Sequence, residues 1–378
     1  MRIVDVEAFA IRSPPLPDDP RHRNVATAAG SFSQALETCL VRVESEDGVV
    51  GWGEGMAPVA PTVTATILND LVGPLVLGRN PFELRAIWHG LYVSMRERGH
   101  TTSFYIDALA ALDGALHDLA GKVLGVPAYQ LLGGRFRTEI PLYAAGFGGD
   151  TPEPVAATAK ALADQGYSAL KLHLRVGNDQ VVRIVEAVRD AVGHKTKIMV
   201  DVHSWRSVFE AMALGRELEK RGVTWLEAPT APDDLEGQAE LTKHLDLAIA
   251  TGEWWRTGYE WREAIRARAF DIAMPDVARA GLGETKRIAD LYETSNLPVS
   301  PHVGVGGLVA QAMAIQLSAA LPNLYLLEHS PLHQPVKQAV SPSFPEPSDG
   351  FFEVPDGPGL SIDVDEAAVR EMTIGGST

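Results

Sequence analysis

The sequence predicts an α/β chain: a modified TIM barrel of (β/α)7β type behind an α+β N-terminal capping domain. Three observations carry this. From Glu139 onward, short apolar strands alternate with amphipathic stretches of helix length, the texture of a parallel sheet built from strand–helix units. Eight such strands fall between residues 139 and 330, which suits one closed barrel better than an open sheet. Seven of them in succession end in an ionisable residue at a near-constant interval, so each unit repeats the same geometry.

Taken in order, Ile3, Val4, Val6 and Phe9 alternate as a strand and lead into a polar, Pro-rich segment, 13–33. The stretch from Thr38 to Val43 and, after the turn Glu46-Asp47-Gly48, that from Val49 to Glu54 complete an antiparallel meander. Helical spacing follows from Val63, from Pro81 to Met95, and most regularly from Ser103 to Leu124. There Ile106, Leu109, Leu112, Leu116 and Leu119 form one stripe before Gly125-Val126-Pro127 stops the helix. Residues 1–125 are therefore expected to form the capping domain and 126–330 the barrel. The barrel strands are expected at Pro141–Ala145, Ser168–His173, Lys197–Asp201, Val223–Glu227, Ala248–Glu253, Phe270–Asp276, Pro298–His302 and Leu324–Glu328. Ala144–Asp150 (AAGFGGD) is Gly-rich but lacks the GxGxxG spacing of a dinucleotide-binding sheet. Residues 331–378 are expected to return to the capping domain.

Composition narrows the function. A net charge of −16 with no basic run argues against nucleic acid as a partner. No apolar run approaches the roughly 18 residues that cross a bilayer, and the N-terminus lacks the features of a signal peptide. Cys39 is the single cysteine, so no intrachain disulfide forms, and a cytoplasmic protein is expected.

The strand ends are Lys171, Asp201, Glu227, Glu253, Asp276, His302 and Glu328, at intervals of 30, 26, 26, 23, 26 and 26 residues. In a barrel that position is the C-terminal rim, where active sites are built. Inward charges at the ends of buried strands are costly unless a site compensates them. Asp201, Glu227 and Glu253 lie on neighbouring strands roughly 5 Å apart, and no set of cations is placed to pair with them. An all-oxygen set of this kind favours a hard ion, Mg²⁺ with Mn²⁺ as the alternative. Lys171 and His173 share one face of their strand, and Asp276 and His302 stand across the ring. Asp276 is placed to hold His302 in one tautomer and favour its protonated form. His203, two residues beyond Asp201, is expected to point into the same cavity. Kept protonated by the carboxylates, it would assist a departing hydroxide; otherwise it would orient a ligand carboxylate.

These residues stand in the motifs KLH, MVDVHSW, WLEAPT, ATGEWW, MPDVARAG, SPHVG and LLEH, joined by ALHDLAGKVLGVPAYQLLGG and VPDGPGLSID. Together they resemble the mandelate racemase subgroup of the enolase superfamily over nearly the whole chain. The resemblance implies Asp201, Glu227 and Glu253 as Mg²⁺ ligands, Lys171 and His173 in place of the family's paired lysines, and Asp276 and His302 as its dyad. Glu328 would be the acid that hydrogen-bonds the substrate carboxylate, and the 13–33 and Gly53–Thr62 loops the specificity cap. It also implies a homo-oligomer, an octamer or a smaller even-numbered assembly. Two departures matter: His173 stands where a second lysine is common, and His203 where many racemases and cycloisomerases carry Asn. Sugar-acid dehydratases of the family can place a His there. The implied chemistry is removal of the proton α to a carboxylate, giving an enediolate, with dehydration of a sugar acid as the first reading. Cycloisomerisation of a sugar-acid lactone and racemisation or epimerisation of a 2-hydroxy acid are the alternatives. Within the first loop, His22 and Arg23 are candidate contacts for a polar acid, or part of an ordinary solvated loop. A barrel that binds without turnover would not need two opposed proton carriers. A two-metal hydrolase would need more histidines near the carboxylates.

Overall fold

The structure, a computed structural model, describes residues 1–14, 26–27, 30–31, 36–304 and 307–375. The capping domain is an antiparallel sheet of β1 (Ile3–Arg12), β2 (Glu37–Ser45) and β3 (Val50–Gly55), in that order. Helices α1 (Leu84–Arg96) and α2 (Phe104–Leu124) follow. From Tyr105 to Gly121 every residue of α2 is buried, so the leucine stripe is only one of its packed faces. The other sides accept the sheet and the barrel. Alternate glycines of β3 let α2 lie directly on the strand: a Cβ at Gly51, Gly53 or Gly55 would overlap the backbone oxygens of Ala115, Ala111 and Asp107. Gly125, left-handed at φ 68°, closes the helix.

The barrel alternates β4 (Glu139–Gly148), α3 (Pro152–Asp164), β5 (Ala169–His173), α4 (Asn178–Val192), β6 (Lys197–Asp201) and α5 (Val208–Glu219). It continues through β7 (Val223–Glu227), α6 (Leu235–His244), β8 (Ala248–Thr251), α7 (Gly258–Ala267), β9 (Ile272–Ala273) and α8 (Leu282–Glu293). Helix α9 (Ala310–Ala319) and β10 (Leu327–His329) complete it. Neighbouring strands pair in parallel, and β10 pairs with β4. The ring closes through isolated parallel bridges, Ala273↔Val299, Asp276↔His302 and Val299↔Leu324.

This last quarter is thinner than the sequence predicts. Pro275, Pro298 and Pro301 have no N–H to give a ladder, so the expected strand over 270–276 shrinks to β9, and 298–302 forms bridges only. Glu253 also lies beyond its strand, after Gly252, whose φ of +119° and contact with Trp261 exclude a side chain.

The pleat explains where the charges stand. Tyr143, Ala169, Met199, Trp225, Met274 and Leu326 form an apolar cluster inside the ring. Lys171, Asp201, Glu227, Asp276 and Glu328 follow two residues after the last five of these, on the same face and one pleat higher. Alternate residues such as Leu170, Val200 and Leu226 pack outward against the helices.

The cap is fixed to the rim by polar anchors. Arg256 donates from two nitrogens to the two oxygens of buried Asp107, at 2.7 and 3.0 Å. Glu54 accepts from the backbone N–H groups of Val309 and Ala310, at 2.6 and 2.8 Å, where α9 begins. Near the C-terminus Thr373 pairs with Ile11, and Arg370 with Glu7 at 2.7 Å.

Candidate active site

At the centre of the rim, Lys171 is fully buried between two carboxylates. Its Nζ lies 2.7 Å from Glu227 Oε1 and 3.0 Å from Glu328 Oε1. Burial disfavours the ammonium, but Glu227 and Glu328 outweigh it and hold the pKa well above the lysine range. The second oxygen of Glu227 accepts the indole N–H of Trp225 at 3.0 Å. Glu227 is nonetheless pushed up to about 8, by burial first, against Lys171 and with the help of Asp201, Glu328 and Glu253.

His302 sits between acids from two other strands. Its Nδ1 is 2.6 Å from Asp276 Oδ2, its Nε2 is 2.7 Å from Glu253 Oε2, and Glu328 Oε2 is 3.6 Å from Nε2. Burial works against the imidazolium, yet Glu328, Glu253 and Asp276 hold His302 well above the usual imidazole range. Backbone groups fix the acids: Asp276 accepts from Ala278 and Gly304 N–H at 2.7 and 3.1 Å, and Glu328 from Val303 N–H at 2.9 Å. Glu253, with burial opposing and His302 beside it, falls to about 2.

The third group is His173, Asp201 and His203. Asp201 Oδ2 lies 3.1 Å from His173 Nδ1 and 3.7 Å from His203 Nδ1, and the two rings approach to 3.4 Å between His173 Nδ1 and His203 Nε2. Burial opposes the Asp201 charge, but His203, His173 and Lys171 keep it below the carboxylate range. β6 ends at Asp201, so His203 does not continue the strand. Its left-handed backbone, φ 54°, turns its N–H onto Asp201 Oδ1 at 2.8 Å and brings the ring back over the strand end.

Two expectations are corrected here. Two of the carboxylates do have cationic partners, Lys171 for Glu227 and His302 for Glu253, and Asp201 lies against His173 and His203. A buried carboxylate needs a donor, and a narrow ring brings inward side chains from distant strands within reach. Among the described residues, the one trio of metal-ligating types whose ligand atoms all lie within 4.8 Å of one another is His173, Asp201 and His203, not the three acids. Nor is His203 kept protonated by its neighbours. Burial dominates over Asp201 and lowers it to about 4.

All seven strand-end residues, with His173 and His203, thus stand at one rim: six are joined by direct contacts, and Asp201 with its two histidines is coupled to them electrostatically. His22 and Arg23 lie outside the described residues. Gly53–Gly55 of the anticipated loop belongs to β3, and the segment after it is pinned by Met56 N–H to Ala278 O at 2.8 Å. Trp225 was missed, although the WLE motif places its indole on the same face as Glu227. So was Met56, whose Sδ and Cε fill the space a side chain at Gly304 would need, beside Asp276 Oδ2.

A closed parallel barrel with acids, a buried lysine and a His–Asp pair on its C-terminal rim defines an acid–base enzyme acting on a small anionic substrate. Residues 13–133 match the mandelate racemase / muconate lactonizing enzyme N-terminal domain, and 154–368 the enolase C-terminal domain-like family. The chain belongs to the mandelate racemase subgroup of the enolase superfamily. It is 33% identical to D-galactarolactone cycloisomerase of Agrobacterium fabrum, over 88% of this chain and 90% of that protein. It is 32% identical to D-xylonate dehydratase of Haloferax volcanii, over 90% and 86%. A solved enolase-superfamily member from Agrobacterium tumefaciens superposes with a TM-score of 0.91 at 31% identity, covering 98% of this chain and 99% of that one. Among the described residues no helix is long and apolar enough to cross a membrane.

Proposed function

We propose that the chain removes the α-proton of a sugar-acid carboxylate with Mg²⁺ bound, and then expels a β-hydroxyl as water. The observation that carries this is the pair of nitrogen groups on opposite sides of the ring: Lys171 and His173 on β5, and His302 bonded to Asp276. Asp201, Glu227 and Glu253 would hold the ion, Mg²⁺ or Mn²⁺. They fit it as three oxygen donors, Asp201 and Glu227 buried and Glu253 partly so, whose mutual repulsion contributes to the raised pKa of Glu227. Bound there, the ion supplies positive charge against the substrate carboxylate as it gains electron density.

The chain's own residues divide the proton work. Asp276 fixes the His302 tautomer, and the surrounding acids keep the ring charged, which suits Nε2 to hand a proton to the departing hydroxyl. Lys171, held as a cation by Glu227 and Glu328, is a hydrogen-bond donor to the substrate carboxylate rather than a base. His173, on the same face of β5, receives the α-proton. Its Nε2 is buried with no hydrogen-bond partner among the described residues. The experiment is α-proton exchange in D₂O with Mg²⁺ over a panel of sugar acids and their lactones. His173→Asn should lose exchange, whereas His302→Asn should keep exchange and lose product. Loss of exchange only in His302→Asn would overturn these roles.

One observation favours a second reading, opening of a sugar-acid lactone. His203 is neutral, so it adds no acid to the site. A lactone expels a carboxylate, which needs no proton to leave. Turnover of lactones but not of open-chain acids would select this reading.

A further inference from the structure

His173, Asp201 and His203 are more than three neighbours of the proposed carboxylate site. A four-coordinate ion with bonds of about 2.0–2.1 Å spaces its ligand atoms roughly 3.3–3.4 Å apart. Here His173 Nδ1 is 3.4 Å from His203 Nε2 and 3.1 Å from Asp201 Oδ2, and one ligand atom from each of the three side chains lies within 4.8 Å of the others, wider than that spacing on its longest edge. The backbone enforces the convergence. His203 and Ser204 are both left-handed, at φ 54° and 62°, an arrangement that costs energy for residues with a side chain and recurs at ligand sites. Both rings are 23% exposed, which leaves an ion a route from solvent.

We propose that His173, Asp201 and His203 form a binding site for a borderline divalent ion, Zn²⁺ above all, chemically distinct from the all-oxygen set. Two imidazoles and one carboxylate suit Zn²⁺, Ni²⁺ or Co²⁺, whereas Mg²⁺ prefers oxygen alone. The sites share Asp201, so they are coupled. Zn²⁺ draws Asp201 toward the histidines, weakens Mg²⁺ binding, and occupies the lone pair of His173. It therefore acts as an inhibitor that excess Mg²⁺ relieves only in part. This holds whichever reaction the enzyme performs.

The test is calorimetric titration of the chelator-stripped full chain with Zn²⁺ alone and with Mg²⁺ alone. Variants are His203→Asn, His173→Asn and Glu253→Gln. Asn tolerates the left-handed backbone at 203, so that variant keeps the turn. The parent should bind one Zn²⁺, and each His variant should bind it at least ~10²-fold more weakly, beyond the loss of a supporting partner. Glu253→Gln should weaken Mg²⁺ while leaving Zn²⁺ nearly unchanged. Co²⁺ in the parent should show visible bands that His203→Asn alters. Zn²⁺ affinity that survives both His variants, or that falls only in Glu253→Gln, would overturn the site.

Discussion

Lowering the pH from 8 to 6 should weaken Mg²⁺ binding by roughly fiftyfold. Of the three acids proposed to hold the ion, Asp201 is held below the carboxylate range and Glu253 at about 2, so both are ionised throughout this interval. Glu227 alone is pushed up to about 8, by burial and then by Asp201, Glu328 and Glu253 against Lys171. An ion that needs all three charged displaces one proton from Glu227 below that value. The sign follows: affinity rises about tenfold for each pH unit up to about 8, then levels off. That fiftyfold change corresponds to about 2.3 kcal/mol. Titration calorimetry in buffers of different ionisation enthalpy measures both the affinity and the proton released. Near one proton at pH 6.5 and near none at pH 9 are expected. Affinity independent of pH from 6 to 8, with no proton released, would refute the assignment of Glu227 as both crowded acid and ligand.

Two further outcomes rest on neighbouring contacts. Trp225→Phe removes the N–H that holds Glu227 Oε2 and should weaken Mg²⁺ by ~10–100-fold, as loss of a supporting partner does, with secondary structure by circular dichroism unchanged. Arg256→Met leaves Asp107 buried and unpaired and should cost about 3–5 kcal/mol in urea unfolding. Adding Asp107→Asn to that variant should recover part of the loss.

The barrel was legible because it repeats. One strand–helix unit recurs, and each repetition ends in a charge that periodicity alone could not hide. What could not be read was the reach of side chains across the ring. Lys171 and Glu227 are 56 residues apart and on strands that do not pair, yet their side chains meet at 2.7 Å. Strand arithmetic gives a residue's face and height but not the partner it chooses. The backbone turn at His203 was hidden for a related reason. A period of two assumes that the strand continues, and nothing in VDVHSW announces that the chain turns left-handed two residues after Asp201. The prolines at 275, 298 and 301 were visible. Their cost to the ladder could have been anticipated from the missing N–H groups.

The charges at the rim also bear on the order in which partners bind. Asp201, Glu227, Glu253, Asp276 and Glu328 face two nitrogens held as cations, Lys171 and His302. Fully ionised, the cluster carries three more negative charges than positive ones, and the proton that Glu227 retains near neutrality lowers the excess to two. A substrate carboxylate entering that field meets repulsion from every side but Lys171 and His302, whose nitrogens are already committed to Glu227 and Glu328 and to Glu253 and Asp276. On the proposed assignment of Glu227 as a ligand, a divalent ion would replace its proton with two positive charges and compete with Lys171 for that carboxylate, which would leave the lysine a donor for the substrate. Glu328, 3.0 Å from Lys171 and 3.6 Å from His302, stays as the one acid that touches both cationic groups. The charge balance therefore predicts that the ion would bind before the substrate, and that its arrival would change the partner of Lys171 as well as the charge of the cavity.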